Sequence, residues 1–151
     1  MSRTSTYLNF NGNAEEAFDF YRTVFKTELH EPIKRFKDLP IPEGAPPLPE
    51  SIQNLVMHIA LPILGGHLLR GTDAPEEMGF HLQPGNQVYI QLEPDSRDEA
   101  KRLFGMLSYG GRVETPLTDM PWGSYFGTCV DRFEICWMIQ VSTTLNAEQS
   151  K

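Results

Sequence analysis

The sequence predicts an α+β fold: two βαβββ modules whose mixed sheets curl around a shared cavity. Three observations carry that prediction. Two amphipathic helix patterns open on capping signals, at Asn13 and at Ser96, and bear matching apolar stripes. An apolar run broken by Gly65-Gly66 reads as a tight hairpin, because adjacent glycines supply the two positive-φ positions such turns need. The same order of signals then returns in the second half: strand, capped helix, strands.

Taken in order, Tyr7 to Phe10 alternate as a strand, Gly12-Asn13 ends it, and Asn13 with Glu16 at the third helical position starts a helix. Ala14, Ala17, Phe18, Tyr21 and Phe25 recur at helical spacing, so their stripe faces the sheet. A strand is expected over Glu28 to Phe36. Pro40, Pro42, Pro46, Pro47 and Pro49 then forbid regular structure over Leu39 to Glu50. Pro46-x-x-Pro49 matches polyproline ligands only weakly, and a rim, lid or dimer contact is the simpler reading. Asn54 to Leu64 and His67 to Thr72 are the hairpin strands. After the connection 74–85, a strand at Gln87 to Leu92 leads into a helix from Asp95 or Ser96, where Ser96-Arg97-Asp98-Glu99 reads as a capping box, with Ala100, Leu103, Phe104 and Leu107 on its buried face and Gly110-Gly111 at its end. Strands follow near Arg112 to Thr118, Tyr125 to Val130 and Phe133 to Val141. The modules thus span 1–73 and 86–143 within one domain, with a polar tail at 144–151. Each sheet has a helix on one face, which leaves a second apolar face to line the cavity.

Composition excludes several classes. At 151 residues the chain fits one domain of the common range of about 100–200 residues. No apolar run approaches the ~20 residues that cross a bilayer. The start, Met-Ser-Arg-Thr-Ser-Thr-Tyr, lacks the apolar stretch of a secretory signal, so the cytoplasm is the expected compartment. With 20 acidic against 13 basic residues the net charge is −7, which opposes binding to a phosphate backbone. Cys129 and Cys136 match neither zinc-knuckle nor Cys-x-x-Cys spacing and read as buried small apolar residues. There is no Gly-x-Ser-x-Gly elbow and no phosphate-binding glycine loop.

Leu8-Asn9-Phe10-Asn11-Gly12-Asn13-Ala14-Glu15-Glu16-Ala17, with Phe20-Tyr21 and Phe25, resembles the opening of PhnB-like proteins, a branch of the glyoxalase/bleomycin-resistance (vicinal-oxygen-chelate) superfamily. Val56-Met57-His58, Gly71-Thr72-Asp73-Ala74-Pro75, and Asp119-Met120-Pro121-Trp122-Gly123 through Phe126-Gly127 extend the likeness over nearly the whole chain. Metal-dependent members of that superfamily place His, Glu or Gln ligands on the first and last strands of each half. The resemblance puts those positions at Thr6, at Leu69 or Arg70, at Tyr89 and at Trp137, none of which is such a ligand. No metal and no other cofactor are therefore expected. The resemblance also implies a homodimer. One departure bears on the last turn: the branch often has Asp-Pro-Phe-Gly where Asp131-Arg132-Phe133-Glu134 stands here, which puts the turn and the register of Trp137 in question.

The candidate ligand-binding residues are Thr6, His58, Arg70, Tyr89, Trp122, Tyr125 and Trp137. Trp137 is either ordinary core or cavity lining, and Tyr89 shares that ambiguity. Arg70 interrupts an apolar strand and suits an anionic ligand, unless a carboxylate or a snorkelled head at the strand's end explains it. His58 has the chemistry of a general base but no visible orienting acid. Trp122 and Tyr125, with Phe126, suggest an aromatic flap or hairpin packing. His67, taken opposite Leu64, lies roughly 20 Å from His58 at about 3.3 Å per residue, too far to share an ion. The expected function is metal-free binding of a small, partly aromatic or anionic molecule; an enzyme of unknown reaction, with or without a divalent metal, is the alternative.

Overall fold

The computed structural model describes residues 1–142, so the expected tail at 144–151 lies outside the described residues. The chain divides into two compact units, Met1–Gln83 and Pro84–Lys151. The first contains β1 (Thr6–Phe10), α1 (Ala14–Phe25), β2 (Lys34–Arg35), a short α2 (Glu50–Gln53), β3 (Val56–Pro62) and β4 (Leu68–Asp73). The second contains β5 (Ile90–Leu92), α3 (Arg97–Ser108), β6 (Arg112–Asp119), β7 (Ser124–Val130) and β8 (Cys136–Ser142). Their sheets have matching orders, β1-β4-β3-β2 and β5-β8-β7-β6, with the first pair parallel and the others antiparallel in each. These are the two α+β modules with mixed sheets that the sequence predicts. Among the described residues no helix is long and apolar enough to cross a membrane.

Helix α1 buries Ala14, Ala17, Phe18, Tyr21, Val24 and Phe25. Its start differs from expectation. Asn13 makes no side-chain capping bond; the carboxylate of Asp73, 2% exposed at the end of β4, accepts the Ala14 N–H (2.9 Å) and the Val56 N–H (2.9 Å). One acid thus joins the helix N-terminus, where negative charge is favoured, to two strands. Ser96 behaves as predicted and accepts the Glu99 N–H at 3.1 Å. Helix α1 ends on Lys26 in the left-handed region (φ 56°), a conformation that costs an L-residue about 1–2 kcal/mol.

The expected strand over Glu28 to Phe36 shortens to Lys34–Arg35. The His30 N–H is taken by the Ala60 carbonyl, Pro32 has no N–H to give, and Phe36 turns into a 3₁₀ segment. The hairpin is also longer than a two-residue turn. Ile63 pairs with His67 (2.8 Å) around Leu64-Gly65-Gly66, so His67 lies opposite Ile63, not Leu64. The final turn survives the loss of its usual formers. Glu134 takes the left-handed position (φ 70°), while Asp131 Oδ1 accepts the N–H groups of Phe133 (2.8 Å) and Ile135 (3.1 Å). Strand β8 therefore starts at Cys136 rather than Phe133.

Which face each side chain takes follows from β4 and β7. A Cβ on Gly71 would lie 2.6 Å from the Phe18 ring, and one on Gly127 2.9 Å from the Phe104 ring, so both glycines face their helix. Alternation along the strands then sends Arg70 and Thr72 to the face opposite α1, together with Tyr7 and Ala60 by register and His58 by its place next to Ile59. That face is mixed, with Arg70, His58 and Thr72 among Ala60, Pro62 and Leu68, where the sequence suggested an apolar one.

Replacing Asp73 by Ala removes both charge-assisted bonds and leaves two buried N–H groups unpaired, an expected loss of about 3 kcal/mol. Lys26→Gly is expected to add about 0.5–1 kcal/mol by removing the left-handed penalty. Urea denaturation checks both, as midpoint shifts of opposite sign with unchanged slope.

Candidate functional site

On the face of the first sheet opposite α1, Arg70 stands at the middle of β4, half-buried, with Tyr7 of β1 and Ala60 of β3 as its lateral neighbours. Its Nε donates to Ser5 Oγ (3.2 Å), and its Nη1 lies 3.4 Å from His58 Nε2. The same imidazole nitrogen lies 3.0 Å from Glu31 Oε1, and the ring is 6.2 Å from that of Tyr7. Among the described residues no carboxylate pairs with Arg70, so the first conventional explanation for an arginine in this strand is absent. Neither is Arg70 at the strand's end, where a snorkelled head would sit.

Arg70 and His58 are therefore brought together, with Glu31 and Ser5 beside them. Sequence reasoning missed both of these. Glu31 sits in the irregular segment before Pro32, where no periodicity assigns a direction, and Ser5 precedes the first strand. Glu31 is the acid that His58 lacked when read from sequence. Thr6 is separate: it neighbours Leu69 on the α1 face, and its hydroxyl shares a hydrogen bond with His67 Nε2 (2.9 Å).

The second unit distributes its candidates differently. Trp137 is fully buried, paired with Cys129 on the face that carries Gly127 and packs on α3, and its Nε1 donates to Asp131 Oδ2 (2.9 Å). It packs in the core of the second unit. Tyr125 is buried on that face too, with the Arg97 guanidinium 4.0 Å over its ring and Arg97 itself forked onto Asp119 (2.6 and 3.0 Å). Trp122 is 70% exposed at the β6–β7 turn, held by the Gly123 N–H on the Met120 carbonyl (3.0 Å). The aromatic flap read from Trp122, Tyr125 and Phe126 is thus not one cluster, since Tyr125 and Phe126 alternate across the sheet.

Tyr89 donates its phenol to Glu114 Oε1 (2.6 Å), and Glu114 helps line a cleft of about 160 Å³ with Asn86, Arg112, Val130, Glu134 and Cys136. Hydrogen bonding to Glu114 pushes the phenol up to about 12, because losing the proton would place phenolate against carboxylate. Both cysteines are free and buried, and burial pushes the Cys129 thiol up to about 12 and raises that of Cys136.

This donor set does not fit the divalent metal of the superfamily's enzymes. Thr6 is engaged with His67, Leu69 is buried alkyl, Arg70 is a cation, Tyr89 is held protonated, and Trp137 offers only an N–H donor. Among the described residues no three His, Cys, Asp or Glu side chains converge as a metal site.

Comparison with known proteins bears on the class. No protein-family model matches the chain. Protein PA1353 from Pseudomonas aeruginosa is 32% identical, covering 94% of this chain and 98% of its own, with a TM-score of 0.78. The PhnB protein from Bacillus cereus is 25% identical over 93% of this chain and 99% of its own, with a TM-score of 0.67. Protein YjdN from Escherichia coli K12 is 26% identical over 91% of this chain and 93% of its own length. The fold alone extends to the fosfomycin resistance protein FosX of Listeria monocytogenes, at 11% identity and a TM-score of 0.60. The chain is thus similar over nearly its whole length to PA1353 and to the PhnB protein, and it has the fold of glyoxalase/bleomycin-resistance proteins.

Glu114→Gln is expected to return the Tyr89 phenol from about 12 towards the ordinary 10.0. Tyrosine ring resonances followed through an alkaline titration of both proteins measure the change.

Proposed function

We propose that this protein binds a small molecule bearing an oxyanion, seated on Arg70 and His58 on the face of the first sheet opposite α1, without a metal ion. The observation that carries the reading is a half-buried guanidinium in mid-strand that no carboxylate of the described residues neutralises. Desolvated charges without a counter-charge are expensive, and a ligand carboxylate, phosphonate or sulfate would supply the missing one. Tyr7, 52% exposed beside His58, offers an aromatic wall to a ligand ring. With a net charge of −7 the chain as a whole repels anions, so selectivity for one would come from this local pair. The superfamily's small-molecule-binding fold supports the coarser half of the reading. A cytoplasmic homodimer belongs to the same proposal on the strength of the family resemblance, and sedimentation velocity tests its oligomeric part.

Titration with phenylphosphonate and benzoate should raise the thermal midpoint in a dose-dependent way. Arg70→Ala should weaken binding roughly 10–100-fold, the worth of one or two charge-assisted hydrogen bonds, and Arg70→Lys should recover part of it. Undiminished binding by Arg70→Ala would contradict the reading. Elemental analysis of protein purified without chelator should find no stoichiometric divalent metal; zinc, nickel, manganese or iron at one per chain would overturn the metal-free part.

A further inference from the structure

Two groups converge on one nitrogen in this site. His58 Nε2 faces Glu31 Oε1 at 3.0 Å and Arg70 Nη1 at 3.4 Å, yet it can serve only one of them. With a proton it donates to Glu31, and Arg70 Nη1 then points at a fellow donor. Without one it accepts from Arg70, and its lone pair then faces a carboxylate. The shorter distance to Glu31 favours the first arrangement, which leaves Arg70 Nη1 without an acceptor there. Glu31 satisfies the imidazole alone, since among the described residues no carboxylate oxygen lies within ion-pair distance of Arg70. A ligand with two oxygens on one centre could take one hydrogen bond from each of the two neighbouring donors.

We propose that Glu31 is a built-in competitor, a part-exposed carboxylate that occupies His58 in the empty site and whose side chain is displaced by the ligand's oxyanion; this rests on the anion-binding reading above. Several features suit that role. Glu31 lies in the irregular stretch between α1 and β2, next to Pro32, and its side chain is 37% exposed, so it has solvent to move into. His58 is the more buried partner at 17%, and it stays in place on β3 whichever anion it faces. Lys34, the cross-strand partner of His58, adds positive charge on the same side and gives a displaced Glu31 a cation nearby. The arrangement also defines the ligand class. A neutral molecule or a cation gains nothing by expelling a carboxylate, whereas a carboxylate, phosphonate or sulfate reaching Arg70 as well as His58 makes one contact more than Glu31 does.

The test is calorimetric titration of phenylphosphonate and of benzoate into the wild-type protein, Glu31→Ala, Glu31→Gln and Arg70→Ala at low ionic strength. Removing the competitor should tighten binding about three- to fivefold, matching the value of one exposed ion pair, with Glu31→Gln tighter than wild type because the competing charge is gone. Unliganded Glu31→Ala should unfold at the wild-type urea midpoint within error, which separates competition from a structural role. If wild type binds, Arg70→Ala does not, and Glu31→Ala binds equally or more weakly, then Glu31 orients His58 and the competitor is refuted while the anion site stands. If the wild-type protein is silent and Glu31→Ala binds, the competitor is supported in its strongest form. Silence in all four proteins overturns both proposals.

Discussion

Strand β4 can present only one of its two side-chain rows to α1, and the identity of that row decides everything else in the first unit. Gly71 admits the Phe18 ring at a distance no side chain would permit, and Asp73 closes the helix N-terminus from beneath. Leu69 completes the row with a fully buried side chain. A slip of one residue would drive Arg70 under the helix and carry the Asp73 carboxylate away from the Ala14 N–H, so the register is strongly specified. The guanidinium is on the face opposite α1 because a glycine and an aspartate cannot be anywhere else.

The second unit repeats the topology and reaches a different chemical result. Gly127 plays the part of Gly71 against Phe104, and the row that faces α3 contains Tyr125, Cys129, Trp137 and Ile139. Two of the four aromatics offered by the sequence as ligand contacts are thereby committed to packing, with Asp131 accepting from the indole of Trp137 and Arg97 over the ring of Tyr125. The opposite face retains Tyr89 and Cys136 near a small cleft whose acids are already shared with Tyr89 and Arg112. The helix-free faces of the two units therefore differ: Arg70 and His58 stand together in one, and Glu114 and Glu134 are shared with Tyr89 and Arg112 in the other.

Much of this was legible before any coordinates. Capping by Ser96, both helix stripes and the duplicated order of elements depend on local periodicity, which sequence carries directly. What failed depends on partners distant in the chain. Asn13 looked like a cap, but the acid that caps Ala14 comes from 59 residues away. Trp137 could be core or lining until the Asp131–Glu134 turn set its register, and that turn closes only because Glu134 accepts a left-handed backbone. Arg70 was visible as an anomaly in its strand, whereas Glu31 was not, since it belongs to a segment with no regular direction.

The central claim is that Arg70 and His58 form the anion receptor. Its most direct test is a two-dimensional NMR titration with phenylphosphonate that follows the Arg70 Nε–H, the His58 ring, the Tyr89 ring and the indole N–H groups of Trp122 and Trp137. The account predicts saturable shifts at Arg70 and His58 with the Tyr89, Trp122 and Trp137 signals unmoved. Saturable shifts at Tyr89 or Trp122 with Arg70 and His58 unaffected would contradict it.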